Sequence, residues 1–232
     1  MSISSGQLIR AIVGFTLYLL LTPILLFLAA GTLAWPAAWV YISLGLCTSL
    51  GSRLVVFLRN PDTLLERARF SEAEGTPGWD RALVPLVGIG IPALSVVIAG
   101  LDFRYSWTPE LSQTLQVIGG ILITLGYAAG VWAMIANRFF SAVVRIQSDR
   151  DQYVVQSGPY RIVRHPSYAG ALLAGIGMPL LLSSAWVVIP VALMFVVLVL
   201  RTRFEDDMLL QELAGYREYA ARTRFRLMPG VW

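Results

Sequence analysis

The chain has 232 residues, of which 56% are hydrophobic and only 14% charged, with a formal net charge of +4. Soluble domains carry about a quarter charged residues, so the composition excludes an ordinary water-facing surface and points to an integral membrane protein. A single cysteine, Cys47, and a single histidine, His165, exclude a disulfide framework and a Cys/His metal cluster, and the expected metal content is none.

The first apolar run, Ala11 to Leu33, is longer than the roughly 7–15 residue core of a signal peptide. It is expected as a retained span. A turn at Trp35-Pro36 leads into a second span, Trp35 to Leu58. The polar segment Arg59 to Arg81 follows, in which Pro61 to Phe70 reads as a short interfacial helix. A third span is expected over Ala82 to Leu101, a brief polar loop holds Asp102, Arg104 and Glu110, and a fourth span covers Leu111 to Ala136. Gly126 and Gly130 have the spacing of a close-packed helix pair.

All basic residues are arginine. Arg10, the Arg59–Arg81 segment, the Arg138–Arg164 segment and the tail fall on one side if four spans alternate, leaving Arg104 on the other. The positive-inside rule then assigns the N-terminus, the long loop and the tail to the cytoplasm. The expected setting is a multi-pass protein of a bacterial inner membrane. The lipid bilayer is the implied partner. Nucleic acid is not, because the arginines flank apolar spans and do not form a reader face.

The stretch Ala169 to Leu200 is free of charge. As one straight helix it would be roughly 48 Å long, against a hydrocarbon core of about 30 Å. Pro179, Ser183-Ser184 and Pro190 interrupt it. A helix–turn–helix hairpin with two short arms and a turn at Ser183 to Trp186 resolves the mismatch. Such a hairpin returns Arg201 and Glu205 to the side that holds His165 and Tyr168. The fold class is therefore an all-α integral membrane protein of about four spans plus a C-terminal helical hairpin. We divide it into an N-terminal transmembrane region, 1–136, and a core with its loop and tail, 137–232.

The polar island between the fourth span and the hairpin is the first candidate for chemistry. Gly158-Pro159 reads as a turn, and Pro166 suits the first position of a helix with His165 near its N-cap. Free N–H groups and the positive end of the helix dipole there suit an anionic ligand group. A structural alternative is a capped helix entry, with Arg161 and Arg164 on lipid phosphates. The second candidate is Arg201-Thr-Arg-Phe-Glu-Asp-Asp207, where Arg201/Glu205 and Arg203/Asp207 share helix faces. Ordinary helix salt bridges are the alternative, although base before acid is the weaker orientation. The tail, Arg217 to Trp232, reads as a basic interfacial segment or as a lid.

Gly158-Pro-Tyr-x-x-x-Arg-His-Pro-Ser-Tyr-x-Gly170, the apolar hairpin, Arg201-x-x-x-Glu205 and Gly215-Tyr-Arg-Glu-Tyr219 together resemble the isoprenylcysteine carboxyl methyltransferase family. More widely they resemble the membrane methyltransferases that include phospholipid N-methyltransferases. The resemblance covers Asn137 to Pro229. Where that family shows two consecutive glutamates, this chain has Glu205-Asp206. The resemblance implies an S-adenosyl-L-methionine-dependent methyltransferase with the donor bound by a cytoplasmic loop. Gln152, Tyr153, Val154, Val155, Tyr160, His165, Pro166, Ser167 and Tyr168 would line the donor pocket, and Glu205 would close it. Arg201 would face the methyl acceptor. Arg201 and Glu205 are thus the candidate catalytic pair.

The chemistry of the residues agrees with that reading. Transfer from a sulfonium discharges a cation, so positioning and desolvation supply much of the catalysis. Tyr160 and Tyr168 offer π faces to a sulfonium, and Arg201 suits an acceptor carboxylate. The acceptor is expected to be lipophilic and to enter from the bilayer: an isoprenoid, a lipid amine or a small thiol. Two other classes compete. A membrane reductase would bind a nicotinamide dinucleotide instead of S-adenosylmethionine. A transporter or scaffold would need ionisable residues along its spans, and the first four spans hold almost none.

Overall fold

The computed structural model describes residues 5–59 and 75–232, and every regular element in it is helical. Helix α1 spans Ser5–Ala30 and α2 spans Pro36–Arg59. Helix α3 runs over Gly78–Tyr105, α4 over Gln113–Ala136 and α5 over Pro166–Leu181. Helix α6 spans Val188–Glu212 and the short α7 spans Tyr216–Arg222. Five of these are long and apolar enough to cross a bilayer, and α5 is a shorter apolar helix. The interfacial helix expected over Pro61–Phe70 lies outside the described residues.

Helix α3 has two features with identifiable reasons, a later end than expected and an internal wide turn. Helix α3 continues past Leu101 to Tyr105, so Asp102 is a buried helical residue and not part of a loop. Its carboxylate accepts hydrogen bonds from the Thr108 N–H at 2.7 Å, the Thr108 hydroxyl at 2.8 Å and the Ser184 hydroxyl. These partners satisfy an acid that would otherwise be costly to bury. Helix α3 also widens to a π turn over Leu86–Gly90, where the Ile91 N–H bonds to the Leu86 carbonyl. The wider turn directly precedes Pro92, which has no N–H to continue the regular ladder.

The hairpin is present, with its turn where the sequence analysis expects it. Ser183 adopts φ +53° and a 3₁₀ turn over Ala185–Val187 starts the return. Ser184 is tied to the end of α3 through Asp102, and Ala185 to the loop after it through Thr108. The arms are unequal: α5 has 16 residues and α6 has 25. Arg201 and Glu205 therefore lie inside α6, about three and about two turns before its end.

Packing between α4 and α5 is set by glycine. A Cβ on Gly126 would fall 2.4 Å from the Gly170 carbonyl oxygen, and one on Gly119 would fall 2.4 Å from the Leu181 nitrogen. Reciprocally, a Cβ on Gly177 would fall 2.5 Å from the Gly119 oxygen. The seam thus uses Gly119 and Gly126 against Gly170 and Gly177. Gly130, expected to act with Gly126, has open space where its Cβ would be. Gly100 plays the same part between α3 and α1, where an added Cβ would fall 2.6 Å from the Leu26 oxygen. A central apolar cluster then joins Leu26, Ala38, Ile42, Val96, Met178 and Leu182 from α1, α2, α3 and the hairpin. This framework fixes the helix ends that carry the polar residues.

Candidate functional site

The site is built where the start of α5, the last turns of α6 and the tail meet. Pro166 occupies the first turn of α5, and His165 precedes it with φ −125° and ψ 65°. The His165 side chain makes no capping bond, so its ring is available for side-chain contacts. Its Nε2 lies 3.3 Å from Asp206 Oδ1 and its Nδ1 lies 3.8 Å from Glu205 Oε2. The Tyr168 hydroxyl donates to Glu205 Oε2 at 2.7 Å. The His165 and Tyr168 rings stack at 5.7 Å with an interplanar angle of 8°. The hairpin thus brings His165, Tyr168 and Glu205 together across 37 to 40 residues of sequence.

Arg201 is held by a partner that spacing did not suggest. Its Nε lies 2.8 Å from Asp80 Oδ1, and its terminal nitrogen lies 3.4 Å from Asp80 Oδ2 and 3.1 Å from the Ala142 carbonyl oxygen. The Val144 N–H donates to the same carboxylate at 2.6 Å. Both side chains are buried. The guanidinium also sits 5.3 Å from the centre of the Tyr168 ring. Arg203 and Asp207, in contrast, are exposed and 4.0 Å apart, as an i,i+4 pair should be.

Asp206 is the second feature that sequence reasoning missed. Its fully buried carboxylate is contacted by His165, by Arg164 at 3.0 Å, by Arg226 at 2.8 Å and by the Tyr216 hydroxyl at 2.8 Å. Four elements converge on it: the island, α6, α7 and the tail. The tail is further paired to the island, since Arg164 N–H donates to the Phe225 oxygen and His165 N–H to the Arg226 oxygen, at 3.0 and 2.9 Å. Such convergence offsets the desolvation of a buried charge. A consecutive acidic pair after an apolar run was the available sequence signal.

The rest of the island lines the neighbouring wall. Val154, Val155 and Tyr160 pack with Leu213, Tyr216 and Tyr219. The Tyr160 hydroxyl accepts from Asn137 at 3.2 Å, and its carbonyl accepts from the Tyr219 hydroxyl at 2.7 Å. Burial pushes the Tyr160 phenol above its ordinary range and the Tyr219 phenol up to about 12. Gly158 turns at φ +59° directly against Trp132 and Ala136 of α4. Gln152 and Tyr153 stand further out. The Gln152 side chain accepts from the Gln147 N–H at 2.6 Å, and the exposed Tyr153 ring meets Phe139 edge-on at 5.0 Å. Ser167 is half-buried in the first turn of α5.

Residues 119–211 match the sequence profile of the isoprenylcysteine carboxyl methyltransferase family. The Arabidopsis thaliana protein-S-isoprenylcysteine O-methyltransferase B is 31% identical over 143 residues, which cover 56% of this chain and 70% of that protein. The chain belongs to the isoprenylcysteine carboxyl methyltransferase family. Within this family the Saccharomyces cerevisiae protein-S-isoprenylcysteine O-methyltransferase is 33% identical over 111 residues, 47% of this chain and 43% of that protein. A Cupriavidus metallidurans protein named cobalt-zinc-cadmium resistance protein CzcN is 31% identical over 145 residues, 59% of this chain and 61% of that protein. The chain thus spans about half the length of these last two relatives. The family match begins at the first seam glycine and includes the island, the hairpin, Arg201, Glu205 and Asp206.

Proposed function

We propose that this protein is a membrane methyltransferase that moves a methyl group from S-adenosyl-L-methionine to a lipophilic acceptor. The observation that carries the reading is the Tyr168–Glu205–His165 group, assembled across the hairpin within the matched family region. When bound, the donor supplies an activated methyl on a sulfonium. The stacked rings of His165 and Tyr168 present the π surface that suits such a cation. The buried Nε of Arg164 has no hydrogen-bond partner, which leaves an N–H for an anionic ligand group such as the donor carboxylate. Val154, Val155, Tyr160 and His165 to Tyr168 would form the donor wall, with Gln152 and Tyr153 at its outer edge. Glu205 closes the wall and Arg201 stands on the acceptor side. The arginine distribution supports a cytoplasmic position for this end of the bundle.

Isothermal titration of the purified protein with S-adenosylmethionine tests the donor assignment. Saturable binding that weakens about tenfold or more in Tyr168→Ala and Glu205→Ala is expected. Folded wild-type protein that takes up no donor heat, or variants that bind as wild type does, would sink the assignment.

A further inference from the structure

Arg201 and Glu205 stand one turn apart on the same face of α6, where a guanidinium and a carboxylate are close enough to pair. The structure keeps them separate. Arg201 turns to Asp80, with its Nε 2.8 Å from Oδ1 and one terminal nitrogen 3.4 Å from Oδ2. The same nitrogen donates to the Ala142 carbonyl oxygen at 3.1 Å. The other terminal nitrogen makes no hydrogen bond among the described residues, which leaves it for the acceptor. Glu205 instead receives the Tyr168 hydroxyl at 2.7 Å and faces His165 Nδ1 at 3.8 Å.

Asp80 holds this division. It sits in the first turn of α3, fully buried, and the Val144 N–H donates to its Oδ2 at 2.6 Å. Its neighbour Trp79 meets Phe204 with ring centres 5.4 Å apart, which sets the start of α3 beside α6. A buried guanidinium that loses its counterion is costly to leave unpaired. Asp206 is not free to replace Asp80, because it already holds Arg164, Arg226, His165 and the Tyr216 hydroxyl. Glu205, one turn along the helix, is then the acid within reach. A charge-assisted pair there is strong at low dielectric, and it competes with Tyr168 and with the donor for the same carboxylate. Asp80 lies outside the matched region 119–211, so the N-terminal part of the chain supplies this contact.

Resting on the methyltransferase reading, we propose that Asp80 is a positioning residue that holds Arg201 off Glu205, so that Arg201 serves the acceptor and Glu205 the donor. Asp80 acts through Arg201 and touches neither reactant. Its loss masks both groups at once, because one Arg201–Glu205 pair takes the cation from the acceptor and the carboxylate from the donor.

The test is titration calorimetry of full-length protein in lipid nanodiscs with S-adenosylmethionine. Asp80→Asn keeps an acceptor for the Val144 N–H and removes the charge. It is expected to weaken donor binding about fivefold or more. Adding Arg201→Gln removes the guanidinium that covers Glu205. The double variant Asp80→Asn/Arg201→Gln is therefore expected to bind donor within about twofold of wild type, although its turnover stays low because the acceptor has lost its cation. A purely structural role for Asp80 predicts no such rescue. Unchanged donor binding in Asp80→Asn overturns the inference, and so does a double variant that binds donor no better than the single one. Asp80→Ser, which also removes the charge, is read in the same way if Asp80→Asn does not fold. Either overturning result with normal wild-type donor binding leaves the methyltransferase reading standing, whereas a folded wild type that binds no donor removes both.

Discussion

Asp206 shows how much one side chain can organise. Its carboxylate joins the island, α6, α7 and the tail through four partners, and none of its surface is exposed. Removing it would leave Arg164, His165 and Arg226 facing a buried gap. Asp206→Ala is expected to cost about 3–5 kcal/mol, read as a lower Tm in detergent, with donor binding lost alongside. Tyr216→Phe deletes one hydrogen bond to the carboxylate and should cost about 1.5–3 kcal/mol. A Tm for Asp206→Ala equal to wild type would remove the organising role. The buried phenol of Tyr219 gives a pH test. Its folded pKa is raised to about 12, above the ordinary tyrosine value of about 10. The resulting stability is intact below about pH 10 and is lost as the pH rises through about 12. Thermal unfolding across that interval should show the decline, and Tyr219→Phe should flatten part of it.

Among the elements, the hairpin was legible from sequence because its cause is a length. A charge-free stretch of 32 residues outruns the bilayer, so a turn follows whatever the neighbours are. His165, Tyr168 and Glu205 were legible for the same reason, being the residues that the turn brings level. Asp80 and Arg201 were not, since 121 positions separate them and periodicity speaks only for residues on the same helix. The seam between α4 and α5 was half legible. Glycine spacing announced a close contact, but which glycines meet depends on the register of two helices. Gly126→Ala and Gly170→Ala each force a methyl against backbone and should cost about 1–3 kcal/mol. Gly120→Ala enters open space and should be neutral or slightly stabilising. Equal effects at the three positions, measured by thermal unfolding, would contradict the assigned register.

At the scale of the whole molecule, the polar groups divide between the two ends of the bundle. One end gathers Arg201, Glu205, Asp206 and the tail arginines, while the other holds Asp102, Thr108 and Ser184 around the hairpin turn. The orientation in the membrane is expected to follow the arginines. In a Cys47→Ser background, a cysteine at the exposed position Arg161 should react with an impermeant maleimide only in inverted vesicles. One at the exposed position Glu110 should react from outside intact spheroplasts. The reverse pattern would invert the topology and move the site to the other face.

The glycine seam has a consequence for traffic. A helix contact without room for a methyl group has none for an acyl or prenyl chain, so α4 and α5 form a closed wall at the levels of Gly119 and Gly126. The lipophilic acceptor proposed above would therefore pass along some other flank of the bundle.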